Sequence, residues 1–271
     1  MTKERNDHDV IDEDLYEEFD EEELKELVEI ERQKALTKAQ QEKDPKPKRP
    51  FPKWAFWLIA LVMLFNVVAL LPKTFSVPAV NFLITSAKLS TQDNIQTYKE
   101  AVVTIETGDS KGTGFAITAD GTILTNHHVV EGKDSVTVAF PEAGLFSADI
   151  VDTFPSVDLA VLDIAGENLP HLKLADKTNF QPNDPIYFIG NPLSFNGIAN
   201  KGTIIDYTSL GSWEEPVLMI DAPVYRGNSG SPVINQDGEV IGVVFATLFH
   251  DTHGRVGLFV PIDYYYEQND Q

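Results

Sequence analysis

Three short segments of this 271-residue chain hold side chains that together could break an acyl bond. The first is Arg226-Gly227-Asn228-Ser229-Gly230-Ser231-Pro232, a serine between small residues that permit a tight turn. A serine hydroxyl is a weak nucleophile at neutral pH and needs a positioned base. The second segment, Thr125-Asn126-His127-His128-Val129-Val130, offers an imidazole for that task. The third, Val157-Asp158-Leu159-Ala160-Val161-Leu162, offers a carboxylate that could hold the imidazole in one tautomer. Glycines beside Ser229 would let backbone N–H groups converge on an oxygen that becomes negative during acyl transfer. The chain order is His, Asp, Ser, and Ser231 stands where the second glycine of a Gly-x-Ser-x-Gly elbow would be, so the nucleophile-first arrangement is excluded.

Further words extend the pattern: Gly112-Thr113-Gly114-Phe115, Asp120-Gly121-Thr122-Ile123-Leu124-Thr125-Asn126, Asp158-Leu159-Ala160-Val161, and Asp221-Ala222 leading to Gly227-Asn228-Ser229-Gly230. Their order and spacing resemble the HtrA/DegP-type trypsin-like serine proteases over roughly residues 95–265. The resemblance implies catalytic roles for His128 as base, Asp158 as orienting acid and Ser229 as nucleophile. His128 rather than His127 directly precedes the valine, and Asp158 rather than Asp152 or Asp163 sits in the Asp-Leu-Ala-Val word. Asp163, five positions on, would face the other way on a strand. The implied oxyanion hole is built at Gly227, Asn228 and Ser229, with the N–H groups of Gly227 and Ser229 donating. Val224, Thr247 and Leu248 would line the primary substrate pocket, where the lack of an acid favours small apolar side chains; all three read equally as strand-core residues. Asn228 is neutral where digestive relatives carry an aspartate that pairs with a freed amine, so reversible loop ordering is expected instead of activation by processing. Ser231 departs from the family, which usually has a glycine there. The chain ends at Gln271, and the expectation is a protease lacking a PDZ domain.

Composition narrows the partners. Net charge is −21. Residues 1–31 hold 15 acidic and 3 basic side chains, 32–53 hold 2 and 8, and 73–271 hold 25 and 10. An acidic folded part excludes a nucleic-acid ligand, which needs a basic face to displace phosphate counterions. With no cysteine there is no disulfide or thiolate metal site. The six histidines show no paired spacing, so neither a metal nor a cofactor is expected. Adjacent His127 and His128 would point to different sides of an extended chain.

The elements that must position these groups follow from texture. Residues 1–53 read as an acidic, partly disordered cytosolic tail. A helix is expected near 20–42, where Asp20 and Glu23 have capping-box spacing and Leu24, Leu27 and Val28 mark one face. Residues 54–71 carry no charge and at ~1.5 Å each would span roughly 27 Å, which predicts a single transmembrane helix over 54–72, with Trp54 and Trp57 at the interface. Lys43, Lys46, Lys48, Arg49 and Lys53 precede the run and only Lys73 follows closely, which puts the N-terminus in the cytoplasm and the rest outside a cell membrane. Residues 73–94 form a juxtamembrane connector, helical around 80–89. From 95 to 271, short β-branched runs alternate with turns such as Gln236-Asp237-Gly238, predicting about twelve strands and an all-β domain. The resemblance narrows this to two six-stranded antiparallel β-barrels of the chymotrypsin/trypsin-like fold. It implies a membrane-anchored serine endopeptidase for protein quality control, acting on unfolded or surface polypeptides, with the lipid bilayer as partner through 54–71 and a homotrimer as the family's assembly. The alternative is a protease-fold polypeptide-binding chaperone or sensor with little turnover.

Overall fold

Alternation decides which face of each strand is buried. In the strand Ser135–Phe140, Val136, Val138 and Phe140 point into the core while Ser135 and Thr137 face out. The computed structural model describes residues 21–41, 52–74, 77–108, 110–192, 195–211 and 213–269. The strands are β1 (Val102–Glu106), β2 (Lys111–Ala116), β3 (Thr122–Thr125), β4 (Ser135–Phe140), β5 (Gly144–Phe154), β6 (Leu159–Asp163), β7 (Pro185–Gly190), β8 (Ile198–Thr208), β9 (Val217–Asp221), β10 (Pro232–Ile234), β11 (Val240–His250) and β12 (Gly254–Pro261). They close into two antiparallel barrels, in the spatial orders β1-β2-β3-β6-β5-β4 and β10-β11-β12-β9-β8-β7. Closure leaves no unpaired edge for another chain to join.

Each barrel has its own core: Ile105, Ile123, Val138 and Leu162 fill the first, Phe188, Ile220, Val244 and Phe259 the second. A third cluster joins them. Phe115, Leu124 and Leu159 of the first barrel pack with Ile189, Val243 and Val260 of the second. Burying each such side chain stabilises the fold by about 1.5–3 kcal/mol, so the barrels are held at a set separation. Ile95, on the helix Asp93–Ala101, and Tyr264, on the helix Asp263–Asn269, extend the same cluster.

The chain divides into two compact units, Met1–Ala69 and Leu70–Gln271. In the first, helix Glu21–Gln41 buries none of its residues; Leu24, Leu27 and Val28 are all exposed, and i,i+3 and i,i+4 ion pairs such as Lys34–Glu31 (2.9 Å) line it. Residues 1–20 and the cations Lys43, Lys46, Lys48 and Arg49 lie outside the described residues. In the second unit, helix Val77–Leu89 packs on β8, where the Ala199 N–H donates to Ser86 Oγ at 3.1 Å.

The membrane expectation is corrected. Among the described residues, no helix is long and apolar enough to cross a membrane. A helix does form over Lys53–Thr74, in which the Asn66 side-chain amide donates to the Val62 carbonyl at 2.9 Å. The transmembrane helix preceding the barrels is therefore withdrawn, and with it the lipid bilayer as a partner and the single-pass topology with a cytoplasmic N-terminus.

Candidate active site

The β3–β6 ladder brings His128 and Asp158 together. Thr125 pairs with Ala160, so the chain leaving β3 and the chain entering β6 run side by side at the same barrel end. After β3 the chain does not stay extended: His127–Val130 form one helical turn, which corrects the expectation that the two histidines diverge along a strand. Asn126 opens this turn, and its side-chain amide donates to the Asp158 carbonyl at 2.9 Å. The His127 N–H donates to the same carbonyl at 3.2 Å. Asp158 follows a 3-10 turn, Pro155–Val157, and adopts left-handed backbone (φ 51°), so it stands before the strand and strand parity does not govern its direction.

Both oxygens of the Asp158 carboxylate face His128. Oδ1 accepts the His128 backbone N–H at 2.9 Å, and Oδ2 lies 2.7 Å from Nδ1. A carboxylate only accepts, so Nδ1 carries the proton and Nε2 is left as a base. Asp158 is buried, while the His128 side chain is 44% exposed and reaches the cleft.

The Ser229 turn is fastened to the other barrel by Thr113 of β2. The Thr113 N–H donates to the Ser229 carbonyl at 2.9 Å, its Oγ1 donates to the Gly227 carbonyl at 2.7 Å, and Oγ1 also accepts the Asn191 N–H at 2.9 Å. The approach is so close that Gly230 has no substitute: its φ is +86°, and a Cβ there would stand 1.8 Å from the Thr113 carbonyl oxygen. The Asn228 N–H donates to Tyr225, leaving the Gly227 and Ser229 N–H groups without an acceptor among the described residues. Ser229 Oγ donates to the Phe245 carbonyl at 3.2 Å and not to His128. Ser231 and Asn228 are fully buried against Gly190, where a Cβ would meet Ser231 Oγ at 2.1 Å.

His128 and Ser229 line one cleft of about 350 Å³ together with Ser110, Lys111, Val129, Arg226 and Gly227. Val224, Thr247 and Leu248 do not line it. Val224 is buried in the second barrel's core cluster; Thr247 and Leu248 lie on β11 opposite Gly257 and Val256, Thr247 exposed and Leu248 partly so. Sequence reasoning passed over Thr113, Asn126 and Asn191, although Thr113 and Asn126 belong to the Gly-Thr-Gly and Thr-Asn-His words. It also missed Tyr225, whose ring meets Phe82 edge-on at 4.8 Å and ties the Val77–Leu89 helix to the Ser229 turn.

Residues 112–243 match the trypsin-like peptidase domain family. Over 158 residues the chain is 35% identical to a probable periplasmic serine endoprotease, DegP-like, of Pseudomonas putida, covering 57% of this chain and 33% of that one. A protein so described from Halomonas elongata is 36% identical over 166 residues, covering 60% and 35%. The chain thus spans about a third of the length of the curated relatives it matches. These relatives are described as periplasmic, which, with the helix finding above, overturns the cell-membrane location expected for this chain. Among solved structures, a serine-to-alanine mutant of Rv3671c from M. tuberculosis H37Rv, in its inactive form, shares 28% identity and a TM-score of 0.58 over 67% of this chain and 91% of that one. The HtrA-type protease AlgW with a tripeptide shares 30% and 0.59 over 64% and 60%. Topology and these likenesses together give the β-rich part of this chain the trypsin-like serine protease fold.

Proposed function

We propose that the protein is a serine endopeptidase that cleaves unfolded or surface polypeptides through an acyl-enzyme, with residues 95–271 as its protease domain and a periplasmic location like that of its relatives. Ser229 Oγ turns from the Phe245 carbonyl toward Nε2 of His128 and gives up its proton as it attacks the scissile carbonyl carbon. The carbonyl oxygen, now negative, takes the N–H groups of Gly227 and Ser229, each worth on the order of 3 kcal/mol in the transition state. His128, its imidazolium stabilised by Asp158, passes the proton to the leaving amine, and the C–N bond breaks. Water then attacks the ester with His128 again as base, restoring Ser229 and releasing the acid.

The observation that carries this reading is the double engagement of His128 by Asp158, at 2.9 and 2.7 Å, which aims the free ring nitrogen into the cleft that holds Ser229. The test is a fluorophosphonate probe, which esterifies an activated serine. Labelling that vanishes in Ser229→Ala and His128→Ala is expected; labelling that persists in Ser229→Ala would refute the assignment.

One observation favours a second reading. Ser229 Oγ is bonded to Phe245 and not to His128. That arrangement suits a polypeptide-binding protein with little turnover, or a resting state from which substrate shifts the population. Absence of labelling with and without a peptide ligand, while peptide binding is retained, would favour the binder.

A further inference from the structure

The two cationic side chains of the cleft have no counterpart in the proposed chemistry. Lys111, at the start of β2, and Arg226, directly before Gly227, line the same walls as His128 and Ser229, and among the described residues no carboxylate lines the cleft with them. Their presence runs against composition, since residues 73–271 hold 25 acidic and only 10 basic side chains. Neither forms an ion pair among the described residues, whereas Lys173 is paired with Glu239. Glu106 stands opposite Lys111 in the β1–β2 ladder, yet Lys111 Nζ turns to a neutral acceptor, Asn196 Oδ1, at 2.6 Å. Arg226 is exposed, and its guanidinium presents a planar fork suited to a carboxylate.

From this we infer that the cleft selects polypeptides with an acidic side chain within the first three positions on the C-terminal side of the scissile bond. The inference rests on the proposed peptidase reading. Sidedness follows from where Ser229 lies. Its Oγ touches β11 through the Phe245 carbonyl, and the strand residues after Phe245 do not line the cleft. His128, which in the proposed reaction hands the proton to the leaving amine, lines the cleft instead, together with Val129, Ser110 and Lys111. A departing segment in extended form advances ~3.3 Å per residue, so its first three positions pass within reach of side chains as long as Lys111 and Arg226. Each exposed charge pair changes a rate by roughly 1.4- to 5-fold, and two acting together by about tenfold.

The experiment uses the full chain and three quenched fluorescent peptides that differ only at the second position after the cleaved bond, which carries Glu, Gln or Lys. The expected order of kcat/KM is Glu over Gln over Lys, with about tenfold between the extremes, narrowing as ionic strength rises. In Lys111→Glu the remaining Arg226 is offset by one carboxylate, so the order should flatten, while fluorophosphonate labelling of Ser229 remains. Equal cleavage of the three peptides by the unaltered chain overturns the inference and leaves the peptidase reading standing. Absence of both cleavage and labelling overturns the peptidase reading, and the inference falls with it. The comparison within the unaltered chain decides the matter even if Lys111→Glu does not fold.

Discussion

Replacing Asp158 by asparagine tests the site through a single proton. The carboxylate makes two contacts that constrain any isosteric substitute: Oδ1 accepts the His128 backbone N–H at 2.9 Å, and Oδ2 faces Nδ1 at 2.7 Å. An asparagine that keeps the backbone bond must aim its NH2 group at Nδ1. That nitrogen then becomes an acceptor, and the neutral ring carries its proton on Nε2, where it cannot receive one from Ser229. Flipping the amide sets NH2 against the backbone N–H and leaves a buried donor unsatisfied, at about 1–3 kcal/mol. The first arrangement removes the base, the second keeps it at the cost of that unsatisfied donor, and both remove the charge that stabilises the imidazolium. The expected loss in kcat/KM is about 10⁴-fold, or some 5.4 kcal/mol of transition-state stabilisation. The substitution adds no volume, so the thermal midpoint should move by only a few degrees. Steady-state cleavage of a quenched peptide, fluorophosphonate labelling rate and calorimetry on the same preparation separate these effects. A loss below tenfold with an intact fold would refute the tautomer argument.

Gly230→Ala forces a Cβ to 1.8 Å from the Thr113 carbonyl oxygen at φ +86°, and urea unfolding should show a cost of about 3 kcal/mol or more. Thr113→Val removes the bonds to the Gly227 carbonyl and the Asn191 N–H without emptying the site; a loss of about 1–3 kcal/mol in stability is expected, with a fall in kcat as the Ser229 turn loosens. His128→Ala should abolish labelling of Ser229 while His127→Ala retains it, because only the backbone of His127 is tied to Asp158; the reverse outcome would exchange their roles. Burial, with the charge of Glu215 second, raises the Tyr264 phenol to about 12, and its O–H donates to the Pro216 carbonyl at 2.7 Å. An acid with a raised folded pKa stabilises the fold fully below its unfolded value near 10 and loses that contribution as pH climbs toward 12, so the thermal midpoint should fall across that window and fall less in Tyr264→Phe.

Much of the barrel pair is legible from residue order because strands and turns answer to neighbours a few positions away. Thr122–Thr125, Ser135–Phe140 and Pro232–Ile234 occupy the runs expected from β-branched texture. Gly238 takes φ +82° in the Gln236-Asp237-Gly238 turn. The words around His128, Asp158 and Ser229 mark a candidate site for the same reason, since each is a local device. Residues 54–71 show the limit of such reading, for hydropathy counts a run of apolar types, while among the described residues no helix is long and apolar enough to cross a membrane.

What tertiary structure alone decided lies between residues distant in sequence. Thr113 and the Gly227 carbonyl it holds are 114 positions apart, and no turn or alternation rule relates them. The left-handed backbone at Asp158, the helical turn that carries His128, the rotation of the Ser229 hydroxyl toward Phe245 and the meeting of Lys111 with Arg226 arise only once the barrels close and pack. Side-chain direction at a junction is set by contacts from both barrels at once, and those contacts exist only in the folded molecule.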